Sequence, residues 1–234
     1  MKDTDTLKEG IALYKQKNYS DSLAFFLSLP EDAAADSIEV AYYVGLCYTK
    51  LNRYDDALLY LEQVVTSEGE KSDDKIVVQR VLQCRYLLAV IYCITGRKKL
   101  ADFELNKLLE IGYKKSSVLA SLAFIAWEDN KVEKCLEYYK RALAADENNP
   151  TALNGLGYVL AYEERDLAKA LSYCKKALSL APDNAACMDS VGWVYYKMGL
   201  YSDAKRYLEQ AHEKDRDNNL IVEHLQEVMS AAQN

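Results

Sequence analysis

Apolar residues along this chain return every three or four positions, the spacing that places them on one face of an α-helix. The clearest instance runs from Pro150 to Ala211. There an apolar run meets Leu-Gly or Val-Gly, and an aromatic follows at once (Tyr158, Trp193). A short polar break comes next, then an Ala-centred amphipathic run closing on Ala-Leu or Gln-Ala. Laid on each other, the two halves bring Gly157 onto Gly192, Ala170 onto Ala204 and Ala177 onto Ala211. Glycine inside a helix costs about 1 kcal/mol relative to alanine. Two at matching places predict helix crossings close enough to need the missing side chain.

The same plan extends over the chain. A small residue marks a first helix at Gly10, Gly45, Ala89, Ala123, Gly157 and Gly192, and a second helix at Ser22, Ala57, Ala101, Cys135, Ala170 and Ala204. Each pair is separated by the same number of residues except the fifth, which has one more, in the turn AYEERD. Turns tolerate such an insertion better than packed helices do. Between the second and third pairs, Thr66–Asp74 is polar and reads as a solvated loop. Beyond it Ile76, Val77, Val81 and Leu82 continue the apolar pattern back from Leu88, which predicts an unusually long helix from Asp74 to Thr95. After Asn218, the apolar face of Leu220, Ile221, Val222, Leu225 and Met229 predicts one last helix covering the end of the core. The expected fold is all-α, with about twelve to thirteen helices and no strand.

This pattern resembles the tetratricopeptide repeat, a helix–turn–helix unit of about 34 residues. Tyr48 with Tyr54, and Tyr195 with Tyr201, stand at the repeat's two tyrosine positions. Tyr92 is followed by Gly96 and Ala101, and Pro182 occupies the closing proline position. The first unit is the weakest match, with Ser22 where Ala is usual, and the fourth has Ala126 in place of Tyr. The resemblance implies an α-solenoid, a right-handed superhelix forming one domain over 1–234. Its repeats fall at about 3–36, 38–71, 82–115, 116–149, 150–184 and 185–218, with a capping helix at 219–232. The fifth and sixth units are further similar to paired repeats in bacterial envelope scaffolds and lipoproteins, which suggests a bacterial source. No lipid-attachment cysteine stands near Met1.

Composition narrows the function. Half of the residues are hydrophobic and only 3 are proline, as in a helical globular protein. The net charge of −7 disfavours a general nucleic-acid binder. No run of 18 apolar residues occurs, so no transmembrane helix is expected. The polar start lacks an apolar signal core, so the expected location is the cytoplasm, or a bacterial periplasm if an export signal was removed. Cys47, Cys84, Cys93, Cys135, Cys174 and Cys187 recur at apolar helical positions without a C-x-x-C pair, and are expected to be buried small hydrophobes rather than a disulfide framework. His212 and His224 do not have metal-ligand spacing and are expected on solvated or partly covered faces. No nucleophile elbow, phosphate loop or zinc-protease pattern occurs. No enzyme, cofactor or metal is expected.

In tetratricopeptide stacks, the resemblance implies, the first helices line the concave surface. The stripe starts one position past each small residue and extends three or four positions either way. It begins with Leu7, Ile11 and Tyr14. It then reads Tyr42, Leu46 and Thr49; Tyr86, Val90 and Cys93; Phe124 and Trp127; Asn154, Tyr158 and Tyr162; and Asp189, Trp193 and Tyr196. Aromatic and aliphatic groups dominate it. A contiguous apolar patch marks an interaction site, and Tyr and Trp concentrate binding energy. One subfamily grips chaperone tails with Lys and Asn in these stripes; here only Asn154 is present, so a carboxylate clamp is not expected. The reading is an adaptor that takes a protein or peptide segment in the groove running from Tyr42 to Tyr196. Its rivals are a self-assembling homo-oligomer, whose groove is filled by a second copy or by the terminal helix, and an enzyme or redox protein using Cys93.

Overall fold

The computed structural model describes residues 7–30, 37–67 and 73–231. Thirteen α-helices and no strand occur among them. In chain order they are α1 (Lys8–Lys15), α2 (Tyr19–Leu27), α3 (Ser37–Lys50), α4 (Tyr54–Ser67), α5 (Lys75–Ile94), α6 (Lys98–Ile111) and α7 (Lys115–Glu128). There follow α8 (Val132–Ala145), α9 (Pro150–Tyr162), α10 (Leu167–Leu180), α11 (Ala185–Lys197), α12 (Tyr201–Lys214) and α13 (Asn219–Ala231). Each odd-numbered helix up to α11 packs on the even-numbered helix that follows it, and α13 packs on α12 and α11. The long helix expected from Asp74 to Thr95 is α5. Asp74 caps its start by accepting from the Ile76 amide at 2.7 Å, and Thr95 is the residue that ends it.

One turn is used six times. Lys17, Asn52, Gly96, Asn130, Glu164 and Gly199 all take a left-handed conformation, one between the two helices of each pair. The next amide donates back to the carbonyl five residues earlier: Asn18 to Leu13, Arg53 to Tyr48, Arg97 to Tyr92, Lys131 to Ala126, Arg165 to Leu160 and Leu200 to Tyr195, at 2.8 to 3.0 Å. This is the six-residue closure that satisfies the orphan carbonyls of a helix end. The fifth pair absorbs its extra residue with a second left-handed position, Asp166 at φ 44°, whose side chain also caps α10 by accepting from the Lys169 amide.

The small positions are the crossings. The six on the first helices and the six on the second helices are all buried. A Cβ added to Gly157 would run into the Cys174 sulfur and come within 2.8 Å of the Ala170 carbonyl. One added to Gly192 would lie 2.7 Å from Leu208 Cγ and 3.1 Å from the Ala204 carbonyl. Ser22 stands where alanine is usual because its hydroxyl donates to the Gly10 carbonyl across the crossing, at 2.8 Å.

The chain groups into two compact units, Met1–Tyr113 and Lys114–Asn234. Two left-handed residues, Gly112 and Lys114, lie at the boundary. In the first unit Phe26 stacks on Tyr43 at 5.4 Å, and Leu61, Ile91 and Leu105 are fully buried. Arg80 pairs with Glu39 at 2.5 Å, Arg85 pairs with Glu104 at 2.8 Å, and the Tyr92 hydroxyl donates to Glu62 at 2.6 Å. In the second unit Ala170, Cys174, Val191, Val194 and Leu208 form one core cluster. Asn149 caps α9, accepting from the Ala152 amide, and donates to Ser116, whose hydroxyl donates to the Ala142 carbonyl.

By mean hydropathy, 1.4 over its best stretch, α5 is long and apolar enough to cross a membrane, although no unbroken apolar run of that length exists. A third of that stretch is buried within the fold, and Arg80 and Arg85 on it are ion-paired to neighbouring helices. In this structure α5 is a packed helix of the first unit.

Candidate partner-binding site

In the second unit, one face of α7, α9 and α11 encloses an open cavity of about 470 Å³. The helices contribute in the order that the small-residue stripe dictates. Phe124 and Trp127 come from α7, Asn154 and Tyr158 from α9, and Asp189 and Ser190 from α11, while Leu220 of α13 closes one end. Phe124 is 44% exposed. Trp127 meets Tyr158 edge-on at 6.3 Å and Tyr162 edge-on at 5.1 Å, and Tyr162 is 50% exposed on the rim.

Two polar features define the floor. Tyr139 reaches it from α8, and the reason is Gly155: any side chain there would collide with the Tyr139 ring. The Asn154 amide donates to Ser190 Oγ at 3.0 Å, and Ser190 in turn donates to the Ala186 carbonyl at 2.9 Å. That chain of donors fixes which way the amide faces. It leaves Asn154 Oδ1 buried without a hydrogen-bond partner, a group that costs free energy until a donor arrives. The Tyr158 phenol is pushed well above its ordinary range, first by burial and then by Asp189, Tyr162 and Glu227, so it stays neutral. The lining contains Glu128 and Asp189 but no lysine or arginine.

Beyond the cavity, α13 covers the stripe. His224 Nδ1 lies 2.9 Å from Asp189 Oδ1, and both side chains are buried. The imidazole also stacks on Trp193, with ring centroids 4.0 Å apart. Trp193 is 4% exposed, and Tyr196 packs against it at 5.0 Å. His224 is therefore buried, further in than the solvated or partly covered face that the sequence suggests; a carboxylate and an indole, both 31 or more positions earlier in the chain, hold it inside.

In the first unit, Tyr42 is buried. Its hydroxyl donates to Gln83 Oε1 at 2.9 Å and Arg80 lies 5.5 Å from its ring centroid. Leu46 is buried too, and Tyr86 and Val90 are half-buried on α5. The structure thus gathers Phe124, Trp127, Asn154, Tyr158 and Asp189 around one cavity and sets Tyr162 at its rim. Trp193 lies under α13 with Tyr196 beside it, and Tyr42 and Leu46 serve the interior. Tyr139, Ser190 and His224 were not anticipated as site residues. Tyr139 and His224 belong to helices outside the stripe, so only the packing reveals them.

Catalytic chemistry finds little footing here. All six cysteines are free. Burial pushes the thiols of Cys93 and Cys187 up to about 11 and that of Cys135 to about 12, which makes poor nucleophiles. Among the described residues no cluster of three metal-ligating side chains occurs.

Consecutive helical pairs, joined by one recurring turn and crossing at small residues, define a helical-repeat solenoid. Three profiles, each described as Tetratricopeptide repeat, match residues 39–68, 116–149 and 148–217. The chain belongs to the tetratricopeptide-repeat family. No curated protein matches it in sequence. Among solved structures it is similar to a chain of the APC/C hetero-tetramer Cut9–Hcn1, at 13% identity and a TM-score of 0.74, covering 97% of this chain and 42% of that one. It is also similar to a tetratricopeptide repeat protein from Parabacteroides merdae, at 13% identity and a TM-score of 0.71, covering 96% of this chain and 83% of that one. At these identities the likeness shows the fold alone. The chain spans less than half the length of the Cut9–Hcn1 component. Repeats of this kind typically serve as scaffolds for protein–protein interaction rather than as catalysts.

Proposed function

We propose that this chain is a protein–protein interaction scaffold of six repeats and a final helix, which holds a segment of a partner protein against α7, α9 and α11 without a carboxylate clamp. The observation that carries this reading is the cavity itself. It is open, walled by Phe124, Trp127 and Tyr158, and lined between them by Asn154. Large aromatic side chains around such a cleft fit a segment with apolar side chains. The test is capture from a native lysate with the intact protein and a Trp127→Ala, Tyr158→Ala variant whose helicity and mass match. Trp193 is left in place because His224 covers it. A partner held by the wild type and lost by the variant is the expected result. Retention of the same partners by both sinks the groove as the site.

A second reading, self-association, is favoured by one observation in the first unit. Val78 and Ile111 are exposed beside a cavity of about 400 Å³ between α5 and α6. If this face joins copies, Ile111→Glu lowers the solution mass measured by light scattering; an unchanged mass removes the reading.

A further inference from the structure

Resting on the groove reading above, we propose that the terminal helix α13 is a movable wall of the partner site, so that partner binding and the docking of α13 favour each other.

The cavity and the latch of α13 are built from shared residues. Leu220, in the first turn of α13, closes one end of the cavity and is 45% exposed. Asp189 lines the cavity and is also the carboxylate that meets His224. Tyr158 lines the cavity as well, and its ring lies 6.3 Å from Trp127 and 6.0 Å from His224. His224 in turn stacks on Trp193 at 4.0 Å. An unbroken row of rings therefore joins the groove to the latch, a contiguous path of the kind that carries coupling when an element has two arrangements.

The helix at the end of that path is well placed to have two. It follows α12 through the short link 215–218 and packs only on α12 and α11, whereas α9 and α11 have helices both before and after them. Ile221, His224 and Val228 are its buried residues, while Leu220 and Met229 are each 45% exposed. A terminal helix packed on one side stands at the low end of local opening free energies. The attraction within its buried pair is offset by the desolvation of both members.

The sign of the coupling follows from what each state offers a partner. With α13 docked, Leu220 adds apolar area at the end of the cleft and Asp189 is engaged by His224. With α13 undocked, that wall is gone and Asp189 stands beside the cleft without its imidazole. A segment with apolar side chains is held better by the docked state, and by linkage its binding favours docking to the same degree.

The probe is the consensus peptide from a random library displayed on phage and selected on the intact protein. Hydrogen exchange of α13 is followed without peptide and with peptide at about 100 times its dissociation constant. The reference is α12, none of whose residues lines the cavity. Exchange of α13 should slow by about tenfold or more beyond any change in α12. Leu220→Gln, at a half-exposed position, should weaken the peptide several-fold while α13 of the free protein exchanges as before. His224→Ala should weaken it in proportion to the docked helix that is lost. An α13 that slows no more than α12, or that exchanges faster as the peptide displaces it, overturns the proposal while leaving the groove intact. If the peptide binds the folded Trp127→Ala, Tyr158→Ala variant as well as the wild type, the groove reading itself has failed. A selection that yields no binder counts against both.

Discussion

The imidazole of His224 lies nearly parallel to the indole of Trp193, 19° between planes and 4.0 Å between centroids, while its Nδ1 meets Asp189. The terminal helix is thereby fastened to the one before its partner by a buried pair and a ring stack. Removing one member of such a pair leaves the other desolvated and alone. His224→Ala should therefore destabilise folding by about 3 kcal/mol, read from urea unfolding. Adding Asp189→Ala should cost less than the two single changes summed, because no charge is then stranded. A loss below about 1 kcal/mol in the single variant would show that the latch carries no weight.

Gly157→Ala should be harmful despite alanine's better helix propensity. The new methyl would face the Ala170 carbonyl and the Cys174 sulfur. The sulfur could turn aside, but the carbonyl belongs to helix backbone. A net loss of about 1–3 kcal/mol is expected, and Cys174→Ala should recover only part of it. A neutral outcome would mean that α9 and α10 can separate without loss.

The recurring left-handed turn predicts effects of opposite sign. Lys17 and Glu164 occupy a conformation that glycine takes at Gly96 and Gly199. Lys17→Gly should stabilise by about 0.5–1 kcal/mol, the relief of the Cβ clash less the entropy of a freer unfolded chain. Gly96→Ala should destabilise by about 1 kcal/mol. Thermal melting of the two variants, compared with the wild type, decides this.

Cys93 provides the test of a redox or nucleophilic role. With its thiol pushed up to about 11 by burial, only about one molecule in ten thousand carries the thiolate at pH 7. Labelling by a disulfide reagent should be far slower in the folded protein than in urea. It should rise with pH as the thiolate fraction grows, levelling only near pH 11. Fast labelling at neutral pH would reopen the enzymatic reading.

The crossings were legible in the sequence because a crossing leaves a direct mark: it demands a small residue at one position on each helix, as Gly157 with Ala170 shows. The span of α5 was legible from its apolar spacing and from Asp74. The site was legible only in part. The stripe treats each first helix alone, so it puts Trp127 and Tyr158 on the same face of their helices but says nothing of what arrives from elsewhere. Tyr139 enters from a second helix because Gly155 lets it, and His224 arrives from the last helix, pairs with Asp189 and covers Trp193. Tyr42 is lost to the interior for a related reason. Arg80, which lies beside its ring, comes from the extra N-terminal turns of α5, and Gln83, which takes its hydroxyl, from the first turn of the repeat itself.

The fifth turn has a practical use. Between Tyr162 and Leu167 the chain already carries one residue more than its counterparts, and it closes that gap with backbone bonds that do not involve the cavity-facing side chains of α9. Glu164 and Arg165 lie at its exposed tip, the kind of place where inserted sequence is accepted. A fluorophore, an affinity handle or a short tether spliced in between them would travel with the repeat while leaving Asn154 and Tyr158 in register, and so give a reporter for binding that does not itself compete for the groove.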